Sequence, residues 1–94
     1  MKLEEKYPEA YFEHWLLMLS TMEAALSKQG FEDQLKNYLN FEGEEEMRKL
    51  QKEVLQIVQS NDLNGFETVA KRFDIKGINK QSLNLMAEVI INWN

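Results

Sequence analysis

The fold is decided by residues 11–26, YFEHWLLMLSTMEAAL. Tyr11, Phe12, Trp15, Leu19, Met22 and Leu26 recur there at three- and four-residue steps, which on an α-helix lays them along one face. Leu16 and Met18 widen that stripe, so this helix is expected at the centre of the core. Pro8 suits its first turn, where a missing N–H has no partner to lose. Gly30 is expected to end it, with Lys28 set against the negative end of the helix dipole.

The same period continues on the C-terminal side. A short second helix is expected from Phe31 to Leu39, with Phe31, Leu35, Tyr38 and Leu39 on one face and Glu32 and Asp33 in its first turn, where acids are favoured. Asn40 to Gly43 reads as a connector. A third helix, Glu44 to Ser60, carries Met47, Leu50, Val54, Ile57 and Val58 as its apolar stripe, and Glu45–Lys49 has the favourable i,i+4 order. Asn61 to Gly65 is a break, dense in residues that bond their own backbone or tolerate left-handed conformations. Asn64 and Glu67 have the spacing of a capping box. A fourth helix, Phe66 to Phe73, would bury Phe66, Val69, Ala70 and Phe73. Asp74 to Ile78 reads as a loop around Gly77, although residues 72–78 could also be extended. Asn79 then caps a fifth helix that runs to the end, with Leu83, Met86, Val89, Ile90 and Trp93 inward. Five helices joined by short loops imply an all-α compact bundle.

Composition sets the limits. The chain has 94 residues, 44% of them apolar, with one proline, four glycines and no cysteine. A domain typically takes roughly 100–150 residues, so residues 1–94 have room for a single core. Without cysteine there is neither a disulfide nor a thiolate zinc site. No segment reads as a signal-peptide core or approaches the ~20 apolar residues that span a bilayer, so a cytoplasmic location is expected.

Charge supplies the first indication of a partner. The net charge is −5, and residues 1–46 carry −7 against +2 for residues 47–94. Affinity for nucleic acid rests on neutralising phosphates with lysine and arginine, so an acidic surface argues against nucleic acid and against anionic membranes. Clustered carboxylates instead raise the encounter rate with a basic partner.

Catalytic and metal chemistry find little support in the residues. His14 is the single histidine, and on a helix it lies away from the centre of the apolar stripe, as surface histidines do. A carboxylate-bridged metal bundle needs an acid three residues before the histidine, and that position is Tyr11. Residues 60–71 place Asp62, Asn64 and Gly65 at calcium-loop spacing, but the twelfth position, which should be glutamate, is Lys71. Four scattered glycines make no phosphate cradle. Neither enzyme activity nor a cofactor is expected.

The segment with the strongest functional signal is NFEGEEE, residues 40–46. Glu42, Glu44, Glu45 and Glu46 cluster at a helix start, where each acid gains roughly 0.3–1 kcal/mol from the dipole. Phe41 would staple that helix entrance against Met47 or Leu50. The same carboxylates, with Glu32, Asp33 and Tyr38 beside them, form the candidate docking site for lysines and arginines. Tyr7 and Tyr38 are the aromatics expected nearest the surface.

The segment Tyr7-Pro8-Glu9-Ala10-Tyr11-Phe12, followed by His14-Trp15, is similar to the opening of helical immunity proteins of contact-dependent growth inhibition systems. The small, acidic, cysteine-free helical layout matches them too. This resemblance implies a protein that binds and neutralises a cognate toxin, often a basic nuclease, by covering its active site or substrate surface. Such families diverge fastest where they face the toxin, so no binding residue is carried over. A regulatory adaptor whose helical groove accepts a partner helix is the alternative, and it would depend on exposed apolar rather than acidic side chains.

Overall fold

A computed structural model describes residues 3–21 and 26–93. It is an all-α compact bundle. The elements are α1 (Leu3–Lys6), α2 (Tyr11–Thr21), α3 (Lys28–Glu42), α4 (Glu44–Gln59), a 3₁₀ turn (Leu63–Gly65), α5 (Phe66–Arg72) and α6 (Lys80–Ile91). Among the described residues there is no strand, and no helix is long and apolar enough to cross a membrane. Met22, placed above on the stripe of the first long helix, lies outside the described residues.

Helix α2 buries the face its spacing selects: Phe12, Trp15, Leu16 and Leu19. It packs on α3, α4 and α5. The Phe12 ring stacks on Trp15 at 6.0 Å and meets Phe66 of α5 edge-on at 5.1 Å, while Trp15 meets Phe31 of α3 at 6.1 Å. Aromatic pairs in these arrangements gain beyond their buried area. Helix α4 buries Met47, Leu50, Glu53, Val54 and Ile57 and lies against α2, α3 and α6, so it shares the central position expected for α2 alone. Val58, assigned above to its inward stripe, is exposed; the buried side rotates back toward Val54 and Ile57.

Two boundaries differ from the sequence reading, one because a helix is capped from afar and one because a local cap starts a helix early. Pro8 does not open a helix. It lies in a turn closed by the Ala10 N–H donating to the Tyr7 carbonyl, and Ala10 adopts φ 53°. Helix α2 begins at Tyr11 because the Tyr11 and Phe12 amides donate to the two carboxylate oxygens of Glu53 on α4, at 3.1 and 2.9 Å. The cap comes from 41 and 42 residues away, and no local pattern can announce it. Likewise Gly30 does not stop a helix. Ser27 caps α3, its Oγ accepting from the Gly30 N–H at 3.2 Å, so Gly30 is buried in the first turn. Lys28 therefore sits at the positive end of the dipole, the reverse of the expected placement, and Glu32 and Asp33 fall in the second turn rather than the first.

Helix α3 also runs past the expected connector, through Glu42, and only Gly43 separates it from α4. Gly43 has φ 94°; its N–H donates to the Leu39 carbonyl and its own carbonyl accepts from Met47. One left-handed residue thus ends one helix and starts the next. Asn61 is left-handed at φ 60°, as its break required. No capping box forms at Asn64, because the 3₁₀ turn runs directly into α5. Residues 73–78 make turns through Asp74 (φ 62°) and Gly77 (φ 79°), anchored by buried Ile75 and Ile78. Asn79 caps α6 as expected, with Oδ1 accepting from the Ser82 N–H at 2.8 Å.

Candidate functional site

The turn at Gly43 carries the acidic cluster on a sharp corner between α3 and α4. Glu44, Glu45 and Glu46 occupy the first turn of α4, where no side chain caps the helix and the carboxylates face its positive end. Each acid has at most one, exposed partner. Glu42 Oε1 is 3.0 Å from His14 Nε2 on α2, Glu44 pairs with Arg48 at 2.8 Å, and Glu46 with Lys49 at 3.2 Å. Glu45 reaches Lys49 only at 3.9 Å. Exposed pairs of this kind contribute about 0–1 kcal/mol, so a stronger partner can displace them at little cost.

The candidate residues do not form one patch. Glu42, Glu44, Glu45 and Glu46 are together at the corner. Glu32 lies ten residues before Glu42, about 15 Å along the axis at 1.5 Å per residue, and lines a cavity between α3 and α6. Asp33 is on the opposite side of α3 from Glu42 and accepts from the Gln29 side chain at 3.0 Å. Tyr38 is not a surface residue at all, being 1% exposed. It lies on the same α3 face as Phe31 and beneath His14, whose ring meets it edge-on at 6.1 Å. Burial, then Glu42 and Glu46, push its phenol well above the usual tyrosine range, so it stays neutral.

Tyr7 is likewise inside, at 4% exposure, packed on Phe66. Its hydroxyl donates to Asp62 Oδ2 at 2.6 Å, and Lys6 pairs with the same oxygen at 2.7 Å. Burial and the bond to Asp62 raise its pKa to about 12. Asp62, held by Lys6 and Tyr7, is shifted below the ordinary carboxylate range. Glu53 is shifted up, because burial outweighs the two backbone bonds that favour its charge.

The residue the sequence placed wrongly at the corner is Phe41. It does not staple α4; it is 78% exposed, the most exposed large apolar side chain described. It follows buried Gln34 by seven residues, on the side of α3 that faces the core lower down, but at the last turn nothing packs there. Its place just before an acid-rich helix start suggested a staple, and only knowledge of where the neighbouring helices stop could have turned it outward. Among the described residues no group of three histidines or acids is placed to hold a metal ion. No family model, curated protein or solved structure matches this chain.

Proposed function

We propose that this chain is an immunity-type inhibitor that binds a cationic protein, in the leading case a basic nuclease toxin, and blocks it by covering its active or substrate-binding surface. One observation carries the reading: Phe41 stands 78% exposed on a one-residue corner whose neighbours in sequence are Glu42, Glu44, Glu45 and Glu46. An aromatic anchor within a charged rim is the arrangement on which tight interfaces concentrate their energy. The carboxylates draw in lysines and arginines, and steered association reaches ~10⁸–10⁹ M⁻¹s⁻¹ at low salt. Phe41 then enters an apolar pocket, a burial worth about 1.5–3 kcal/mol. Arg48 and Lys49 release Glu44 and Glu46 to the partner's cations. The chain acts by contact, without turnover or cofactor, in the cytoplasm where such a toxin arrives, and it avoids nucleic acid because its surface repels phosphates. The opening at Tyr7 to Trp15, similar to helical immunity proteins, supports the same reading.

The test is protection. The chain is co-expressed with a basic nuclease toxin domain whose toxicity the wild-type chain relieves, and survival is scored for wild type, Phe41→Ser and a Glu42/Glu44/Glu45 to Gln triple variant. The reading expects both variants to lose protection while staying folded, Phe41→Ser at the wild-type melting temperature and the triple variant a few degrees lower because it gives up helix-dipole stabilisation. Full protection by both would refute it.

A further inference from the structure

A cavity of about 350 Å³ lies between the first turns of α3 and the last turn of α6, lined by Lys28, Glu32, Leu85, Glu88, Val89 and Trp93 among others. Trp93 also lines a second cavity, of about 420 Å³, that continues to Glu44 and Arg48 at the α3–α4 corner. The backbone of Trp93 is fixed, because Gln51 on α4 donates to the Ile90 and Trp93 carbonyls at 3.0 and 2.7 Å. Trp93 itself is half-buried and packs against the core.

Three features of this groove share one sign. Glu32 and Glu88 have no ion pair among the described residues, although each stands on the wall of the same cavity. Glu88 lies in the last turn of α6, where the dipole is already negative and no basic residue of the helix offsets it. Trp93 adds the negative face of an indole. Between them Leu85 and Val89 supply an apolar wall. Lys28 and the positive end of α3 on which it stands oppose this charge from the same wall, and Lys28 pairs with neither acid.

We infer that this groove takes an arginine side chain of a partner protein, its guanidinium stacked on Trp93 and bonded to Glu32 and Glu88, its methylenes against Leu85 and Val89. Arginine fits better than lysine because a planar, weakly hydrated cation can stack on an aromatic face and bond carboxylates through two donors at once. The mixed polar and apolar lining suits a single amphipathic side chain rather than the apolar face of a helix. The inference rests on the reading of a cationic partner and adds where one of its arginines is held.

The probe is the peptide acetyl-Gly-Gly-Arg-Gly-Gly-amide, titrated into the isotopically labelled chain and followed by NMR. Its lysine and citrulline counterparts serve as comparisons. The Trp93 indole N–H and the amides of residues 85–92 should shift with the arginine peptide, several-fold less with lysine and not with citrulline. Trp15, fully buried, provides an internal control that should not move. A Glu32→Gln/Glu88→Gln double variant should bind about three- to tenfold more weakly, and Lys28→Gln should bind more tightly. Shifts confined to residues 41–46, equal response to lysine or citrulline, or an unaffected double variant would overturn the inference. Phe41→Ser should leave this titration unchanged while losing protection, so failure at the groove and failure at the corner are told apart.

Discussion

The two ends of α4 use the same chemical group in opposite ways. In its C-terminal half and the turn that follows, Glu53 and Asp62 are absorbed by the fold. One caps α2 through two backbone amides, and the other holds Tyr7 and Lys6 against the turn. At its N-terminal end, Glu44, Glu45 and Glu46 make only short-range pairs at the surface. Acidic composition alone does not distinguish these roles. What separates them is whether a carboxylate has satisfied a donor the fold would otherwise bury unpaired. Where it has, its loss weakens the fold; where it has not, its loss changes what the chain can meet.

The largest effect should come from Glu53. Glu53→Ala strands the Tyr11 and Phe12 amides beside the core and should cost about 2–4 kcal/mol in urea unfolding. Glu53→Gln keeps an acceptor for one of the two amides but turns its NH2 toward the other, and should cost about 1–2 kcal/mol, less than the alanine. Equal costs for the two would show that the carboxylate does not act as a cap. Tyr7→Phe retains the ring on Phe66 but loses the bond to Asp62, a loss of about 1–2 kcal/mol. Gly43→Ala should cost about 1–3 kcal/mol, since a Cβ there meets nothing within 4 Å and the whole penalty is a backbone at φ 94° and ψ 168° that only glycine adopts readily.

The acid limb of stability gives a subtler contrast. Asp62 has a folded pKa below its ordinary value of 3.8, so its contribution is present above that value and is lost as pH falls further. Glu53 has a folded pKa above its ordinary 4.5, so ionising it opposes folding, and that opposition is relieved as pH falls toward 4.5. Unfolding midpoints measured against pH should therefore show Asp62→Asn flattening the decline below pH 3.8. Glu53→Gln should remove a gain that the wild type makes on approaching pH 4.5 from above. The smallest stability effect belongs to the corner: Phe41→Ser should leave the unfolding free energy within about 0.5 kcal/mol of wild type.

This contrast also marks what the sequence could reveal. The inward faces of α2, α4 and α6 were legible because periodicity is a local property, and so were the left-handed Asn61 and the Asn79 cap. The start of α2 was not, since its cap lies on another helix. Gly30 misled because a glycine near an apolar stripe commonly ends a helix, whereas here Ser27 begins one just before it. The acids at the corner were found from their clustering, and the length of α3 then separated Glu32 and Asp33 from them. Tyr38 and Phe41, three residues apart, exchanged their expected places because burial depends on which neighbouring helix reaches that turn.

Central to the proposed function is the exposed corner at Phe41 as the surface that meets a cationic partner. The direct measurement is stopped-flow association with that partner, from low to high ionic strength, for wild type, Phe41→Ser and the Glu42/Glu44/Glu45 to Gln variant. The wild-type rate should fall steeply with salt, the triple variant should lose that slope, and Phe41→Ser should keep the slope while dissociating faster. A salt-independent rate, with neither variant altering association or dissociation, would contradict it.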